Sequence, residues 1–383
     1  MRRRTNRTPL RQAVIVPALV GLVLLGSPER PWAQSQAEVA HYRRVIEARP
    51  DDVKAHVDYQ DALLKLNRRS ELLEEYRRRL KSDPGNGLNN FLYARLLEGS
   101  HEALPYLKRS VEADPSLDRA RLDLGRSYYH KGNYDSAITQ YTRYLAAHPR
   151  SAFARNLLGL AYYHKGYPNQ AIAEYRRAIE LNDGYTDAYL NLGLTCFYTG
   201  KPDEAIKTYR AALKLEGVEP DRHLIWRNLG MAEAQNGRLG RAETAYRKAL
   251  EIRSDYADAH VSLGNLAFNR GEYDEAAEDY QKALSDHDGS SSLNLKLGVS
   301  YFNLQEYKKG IRHLRRTVEL DSTQTDALFY LGLAAFNDGQ HDLSKQAFEA
   351  YIGRERRFSR NASVFRAKEL LDDLRRLKLR ELY

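Results

Sequence analysis

Cysteine is nearly absent. Cys196 stands alone in 383 residues, which excludes an intramolecular disulfide and leaves the redox compartment open. Tryptophan and methionine occur twice each, so 27 tyrosines against 10 phenylalanines carry the aromatic load. Tyrosine suits a thin two-layer packing, where the ring is covered and the hydroxyl still reaches water. A full membrane span is also lacking. The apolar run Ala13 to Leu25 is 13 residues, about 20 Å as a helix against a hydrocarbon core of about 30 Å. No G-x-S-x-G, H-E-x-x-H, phosphate loop or dinucleotide fingerprint is present, so no motif supports an enzyme. An internal excess of positive charge is missing too. The formal +9 sits at the ends: residues 1–33 hold six arginines and one acid, and residues 354–383 hold ten basic and five acidic residues. The chain between them is about neutral, which argues against a nucleic-acid stripe.

What is present is a period. Gly125, Gly159 and Gly193 lie 34 residues apart; a step of 37 reaches Gly230, and steps of 34 give Gly264, Gly298 and Gly332. An aromatic follows 16 residues after each: Tyr141, Tyr175, Tyr209, Tyr246, Tyr280 and Phe348, with Leu314 as the departure. A fixed period of this length predicts a stacked array of small units in which each buries its apolar face against its neighbours. Seven units are expected, at 118–151, 152–185, 186–222, 223–256, 257–290, 291–324 and 325–358, with the three extra residues of the third (around Gly217–Pro220) in a loop. Seven residues after the marker, Gly132, Gly166, Gly200, Gly237, Gly271 and Gly339 are placed to end a helix in the left-handed conformation. Asp135, Asn169, Asp203, Asp274 and Asp342 come three later, where a side-chain oxygen is expected to cap the next helix. Alanines at 137, 171, 205, 242 and 276 follow, and a small residue against the marker glycine lets two antiparallel helices approach closely. Each unit is predicted to be a helical hairpin.

The flanks differ. Residues 1–33 place Arg2, Arg3, Arg4, Arg7 and Arg11 before the apolar run, the pattern of a signal peptide or an uncleaved signal anchor. Residues 36–117 read as divergent helices: a lone helix to Pro50, then units at 53–86 and 87–117. Residues 359–383 carry Phe365, Leu370, Leu371, Leu374, Leu377 and Leu382 as one apolar stripe among arginines and lysines, the expected basic helix capping the array.

These residues resemble the tetratricopeptide repeat. Trp226, Leu229, Gly230, Ala242 and Tyr246 follow its W-x2-L-G…A-x3-F pattern, and Leu124, Gly125, Tyr128, Ala137, Tyr141 and Pro149 supply the rest. The likeness is strong over 118–358 and weak over 36–117. Gly310 and Ser344 depart from it at the alanine slot, and the closing proline is lost after Pro149. The resemblance implies an all-α, right-handed superhelical solenoid that binds a protein or peptide in the groove lined by the first helices, does no chemistry and needs no cofactor or metal. It also implies the groove register. From it the candidates are Arg126, Tyr129, Asn156, Tyr163, Asn191, Phe197, Arg227, Asn265, Phe268, Phe302 and Phe336, an aromatic stripe with amides and arginines. The family's lysine–asparagine clamp for C-terminal carboxylates is not expected, because its slots hold Leu122, Arg126, Leu157, Asp187 and Asn191. His130 and His164 share a slot in adjacent units but have no recurrent ligand beside them, so a helix-end role is expected above metal binding.

The expected function is a non-enzymatic interaction scaffold exported to the periplasm or envelope of a bacterium. The partner is another protein or a peptide, not nucleic acid, and membrane contact comes through the N-terminal segment or the basic C-terminal helix. The alternative is an assembly component anchored in the inner membrane by its N-terminus, using its convex face or its ends. Cys196 is expected to be a small buried hydrophobe.

Overall fold

The computed structural model describes residues 32–97, 102–217, 221–284, 289–354 and 362–381. The arginine-rich segment and its apolar run, the loop at Pro220 and Leu382 lie outside them. Among the described residues every regular element is a helix, and none is long and apolar enough to cross a membrane.

The helices fall into two compact units, 1–215 and 216–383. In the first, α1 (Trp32–Ala48), α2 (Val53–Lys65), α3 (Arg69–Ser82), α4 (Gly87–Leu96) and α5 (Ala103–Ala113) precede three hairpins. These are α6 (Asp118–His130) with α7 (Tyr134–Ala147), α8 (Ala152–His164) with α9 (Pro168–Leu181), and α10 (Thr186–Tyr198) with α11 (Pro202–Ala212). The second unit holds α12 (Arg222–Gln235) with α13 (Leu239–Ile252), α14 (Ala257–Arg270) with α15 (Tyr273–Leu284), α16 (Ser291–Asn303) with α17 (Tyr307–Leu320), and α18 (Thr325–Asn337) with α19 (His341–Arg354). Last comes α20 (Ala362–Glu381). Within each unit successive hairpins stack as a helical solenoid, each second helix packing on the first helix of the next repeat.

The marker glycine sets the hairpin spacing, in a way that the small-against-small reading only half captured. A Cβ built on Gly159 would lie 2.5 Å from Cε1 of Tyr175, and Gly125, Gly193, Gly230, Gly264 and Gly332 stand in the same relation to Tyr141, Tyr209, Tyr246, Tyr280 and Phe348. The missing side chain is therefore space for an aromatic ring. The alanine slot touches the glycine backbone instead. A Cβ on Gly310 would lie 3.1 Å from the Gly298 carbonyl oxygen, and Ser344 Oγ donates to the Gly332 carbonyl at 2.9 Å. Both departures thus fit their slot. Burying each ring completely is worth about 2–3 kcal/mol, and the stack repeats that gain in every unit.

The inter-helix turns use the second glycine of each repeat with positive φ, between 73° and 90°. Gln305 occupies that place in one repeat at φ 62°. The expected caps need correction. Asp135, Asn169, Asp203, Asp274 and Asp342 are the second residues of their helices, inside the first turn. There a carboxylate acts on the helix dipole; the capping bond in that slot is made by Asn133, which accepts from Ser136 N at 3.2 Å.

The C-terminal stripe is also shifted. Val364, Ala367, Leu370, Leu371 and Leu374 are buried, α20 packing on α19 and α18, whereas Phe365 is 74% exposed. Helical spacing back from Leu371 and Leu374 selects positions 367 and 364, one residue before Phe365. Cys196 is fully buried, with its thiol pushed up to about 11, chiefly by burial.

Candidate functional site

All the candidate residues lie on first helices: Arg126 and Tyr129 on α6, Asn156 and Tyr163 on α8, Asn191 and Phe197 on α10, then Arg227 on α12, Asn265 and Phe268 on α14, Phe302 on α16 and Phe336 on α18. Successive first helices touch one another, α6 with α8, α8 with α10, α12 with α14 and α16 with α18. Their shared side is the crowded, inner side of each unit.

The six aromatics four residues after the glycine are all half-buried. Among the described residues Tyr163 and Phe197 meet only the ring that follows them in the chain, His164 and Tyr198, and the other four are held in two ways. One is a ring at the start of the second helix of the same repeat, five residues on: Tyr129 with Tyr134 at 5.7 Å between centroids, Phe268 with Tyr273 at 5.3 Å, Phe302 with Tyr307 at 6.0 Å and Phe336 with His341 at 6.4 Å. The other is a ring from the next repeat, His164 edge-on to Tyr129 at 5.5 Å and Tyr330 edge-on to Phe302 at 5.7 Å. Sequence reading passed over Tyr134, Tyr273 and Tyr307, although the five-residue aromatic spacing was there to be read. His164 belongs to this stack, lying on Tyr134 at 5.6 Å, and partial burial lowers its pKa below 6.5. No cluster of three or more metal-ligating side chains occurs among the described residues.

The two asparagines of the first unit are struts. Asn156 is 0% and Asn191 3% exposed; Asn191 Nδ2 donates to Asn156 Oδ1 at 3.0 Å, and Asn156 Nδ2 donates to Tyr185 Oη at 3.4 Å. A buried amide must be satisfied, and these satisfy each other across two repeats. Their effect is on the placement of α8 and α10. The arginines reach further out. Arg126 pairs with Asp123 at 3.4 Å, and Arg227 spans from α12 to Asp258 on α14 at 3.4 Å.

In the second unit Asn265 is a junction. Its Oδ1 accepts from Tyr280 Oη at 2.9 Å and from the ammonium of Lys296, which also lies 5.7 Å from the Tyr280 ring centroid. Lys296 is half-buried without a carboxylate partner among the described residues, and burial lowers its pKa. Sequence reading did not select Lys296, because a single lysine on a first helix carries no pattern. The arrangement offers ring edges and faces for apolar side chains, and cations at Arg126, Arg227 and Lys296 for acidic groups.

Comparison with known proteins bears on the same repeats. One tetratricopeptide repeat model matches residues 92–152, 122–186, 190–257 and 295–361, and a second matches 257–285. A peroxisomal targeting signal receptor of Candida albicans is 38% identical over 61 residues, 16% of this chain and 10% of the receptor, so the chain spans about a tenth of that relative's length. Among solved structures, MamA is 30% identical, covering 40% of this chain and 89% of its own, with a TM-score of 0.38. The pilF protein of Pseudomonas aeruginosa is 19% identical, covering 55% of this chain and 94% of its own, with a TM-score of 0.49.

Proposed function

The chain belongs to the tetratricopeptide repeat family, and from that premise we propose that it is a non-enzymatic scaffold holding another protein or a peptide against its first helices. Proteins built from this repeat bind protein or peptide partners, and the finer reading concerns where. The observation that carries it is the half-buried ring at the same slot of successive repeats, Tyr129, Tyr163 and Phe197 in the first unit and Phe268, Phe302 and Phe336 in the second. A ring left partly open on the crowded side of a solenoid still has apolar area to lose to a ligand, which is the driving force for holding a side chain there. Arg126, Arg227 and Lys296 add selectivity for acidic groups; Asn156 and Asn191 set the helix positions. Truncating Tyr163, Phe197 and Phe268 together to Ala is expected to weaken partner capture by at least tenfold, about 1.4 kcal/mol, with helical circular dichroism retained. Unchanged capture removes the inner face from the account, and robust turnover by the purified chain alone removes the non-enzymatic reading.

The scaffold is proposed to act after export to the bacterial envelope. Support comes from the arginines before Ala13–Leu25 and that apolar run itself. A mature N-terminus near Gln34 is the expected result. Recovery of Met1 to Ala33 in protein extracted from membranes favours the second reading, a tethered assembly component that works through its convex face or ends.

A further inference from the structure

The second helices of the repeats are near neutral with two exceptions, the acidic α15 and the basic α17. Each of α7, α9, α11 and α19 holds equal numbers of Lys or Arg and of Asp or Glu, whereas α17 carries five Lys or Arg against Glu319, a net +4 over 14 residues. Its inner stripe, Gly310, Ile311, Leu314 and Thr317, is buried, and all five cations are exposed. Two are matched locally, Lys309 to Glu306 and Arg316 to Glu319. Lys308, Arg312 and Arg315 have no acidic partner among the described residues, and their spacing puts them in one line along about 10 Å of helix. Like charges so spaced repel, and Glu319 is the one carboxylate on the helix to offset them.

Two clefts flank this ridge. One, of about 700 Å³, is lined by Lys308, Arg312, Arg315 and the Arg316–Glu319 pair, with Gln281 and Gln340 as neutral neighbours. The other, about 640 Å³, shares Arg315 and Gln340 and adds Lys345 and Arg375, with Asp342 at its wall. The adjoining α15 has the opposite sign: Asp274, Glu275, Glu278 and Asp279 against Lys282.

We propose that the outer face of α17 is a second docking surface, and that its occupant is an acidic segment of a partner protein lying along the helix. Charge complementarity selects that occupant. A segment running along α17 meets Lys308, Arg312 and Arg315 in turn, and its side chains have the two clefts to enter. A nucleic acid or a membrane plane laid across neighbouring helices would also meet the carboxylates of α15 and be repelled by them. A membrane would further seek an exposed apolar residue on α17, and none of the large exposed hydrophobics lies there. This surface is separate from the rings of the first helices and does not depend on them.

The test uses the full chain and a short fluorescein-labelled peptide alternating Glu and Ser, read by anisotropy at low and physiological salt. Binding that weakens with salt is expected, and K308E/R312E/R315E is expected to reduce affinity about tenfold or more. Reversing three exposed cations of the first unit (R78E/R143E/R150E) is expected to leave it near the original value. The Gln triple variant, K308Q/R312Q/R315Q, gives the same reading should the reversal unfold the repeat. Absent binding, or equal loss in the first-unit control, overturns the proposal. So does tighter binding of a single-stranded oligonucleotide or of phosphatidylglycerol vesicles through the same three residues.

Discussion

The hairpin of α2 and α3 and the seven hairpins from α6 to α19 solve one problem by different means. Both bury an outer-helix side chain completely: Tyr76 in the first case, Tyr141, Tyr175, Tyr209 and their counterparts in the second. In the repeats a glycine stands opposite, and in six of the seven a ring (in the other Leu314) fills the space its side chain leaves. In α2 the corresponding slot holds Gln60, itself fully buried, whose amide donates to the Leu92 carbonyl at 2.9 Å and accepts from Arg95 Nη1 at 2.9 Å. Tyr76 is met by His56 instead, Nδ1 to Oη at 2.8 Å, while His56 Nε2 contacts the Pro50 carbonyl at 2.9 Å. The contact between α2 and α3 is correspondingly sparse. One design runs on shape and the other on buried polar pairing, so they should fail under different perturbations.

The largest effect is expected from removing a ring that glycine admits. Tyr175→Ala should cost about 3–5 kcal/mol, whereas Tyr163→Ala, half-buried in the same repeat, should cost about 1 kcal/mol; denaturant unfolding compares them, and equal costs would erase the distinction between the two aromatic positions. Next comes filling the space. Gly159→Ala drives a Cβ to 2.5 Å from Tyr175 and should destabilise by about 1–3 kcal/mol, read as a lower midpoint. The polar hairpin should instead respond to acid. Burial holds His56 below its ordinary 6.5, so the fold favours its neutral form. That contribution is complete above pH 6.5 and is lost as pH falls from 6.5 toward the lowered value. The hydrogen-exchange protection factors of α2 and α3 should therefore fall between pH 7.5 and 5.5 while those of α10 and α11, which hold no histidine, stay level, and H56Q should flatten the difference. The smallest effect is a gain: Gln305→Gly relieves a left-handed non-glycine turn and should add about 0.5–1 kcal/mol.

The glycine period made the hairpins, their turns and their stacking legible, because glycine at fixed intervals has few other reasons to recur. The same signal explains the weak reading of 36–117, where Gln60 interrupts it. Other features turn on tertiary surroundings that one position cannot announce. Tyr129 and Tyr141 are the same residue in one repeat, and burial separates them only because Gly125 lies opposite the second. Asn156 and Asn191 look like surface amides until two repeats are set side by side and their side chains meet. Phe365 shows how one residue of helical phase moves an aromatic from an expected stripe to 74% exposure. Asp135 and its counterparts were displaced by two positions from the cap they were expected to form, since the turn glycine fixes where the second helix begins.

The scaffold reading is tested most directly by placing a photo-crosslinking amino acid, one position at a time, in cells that make the chain. The chosen sites are Phe197 and Phe268 on the inner face, and half-buried Thr208 and exposed Lys248 on the second helices. The account predicts adducts with one discrete partner from Phe197 and Phe268 and none with that partner from the other two. Adducts arising from Thr208 and Lys248 alone would contradict it.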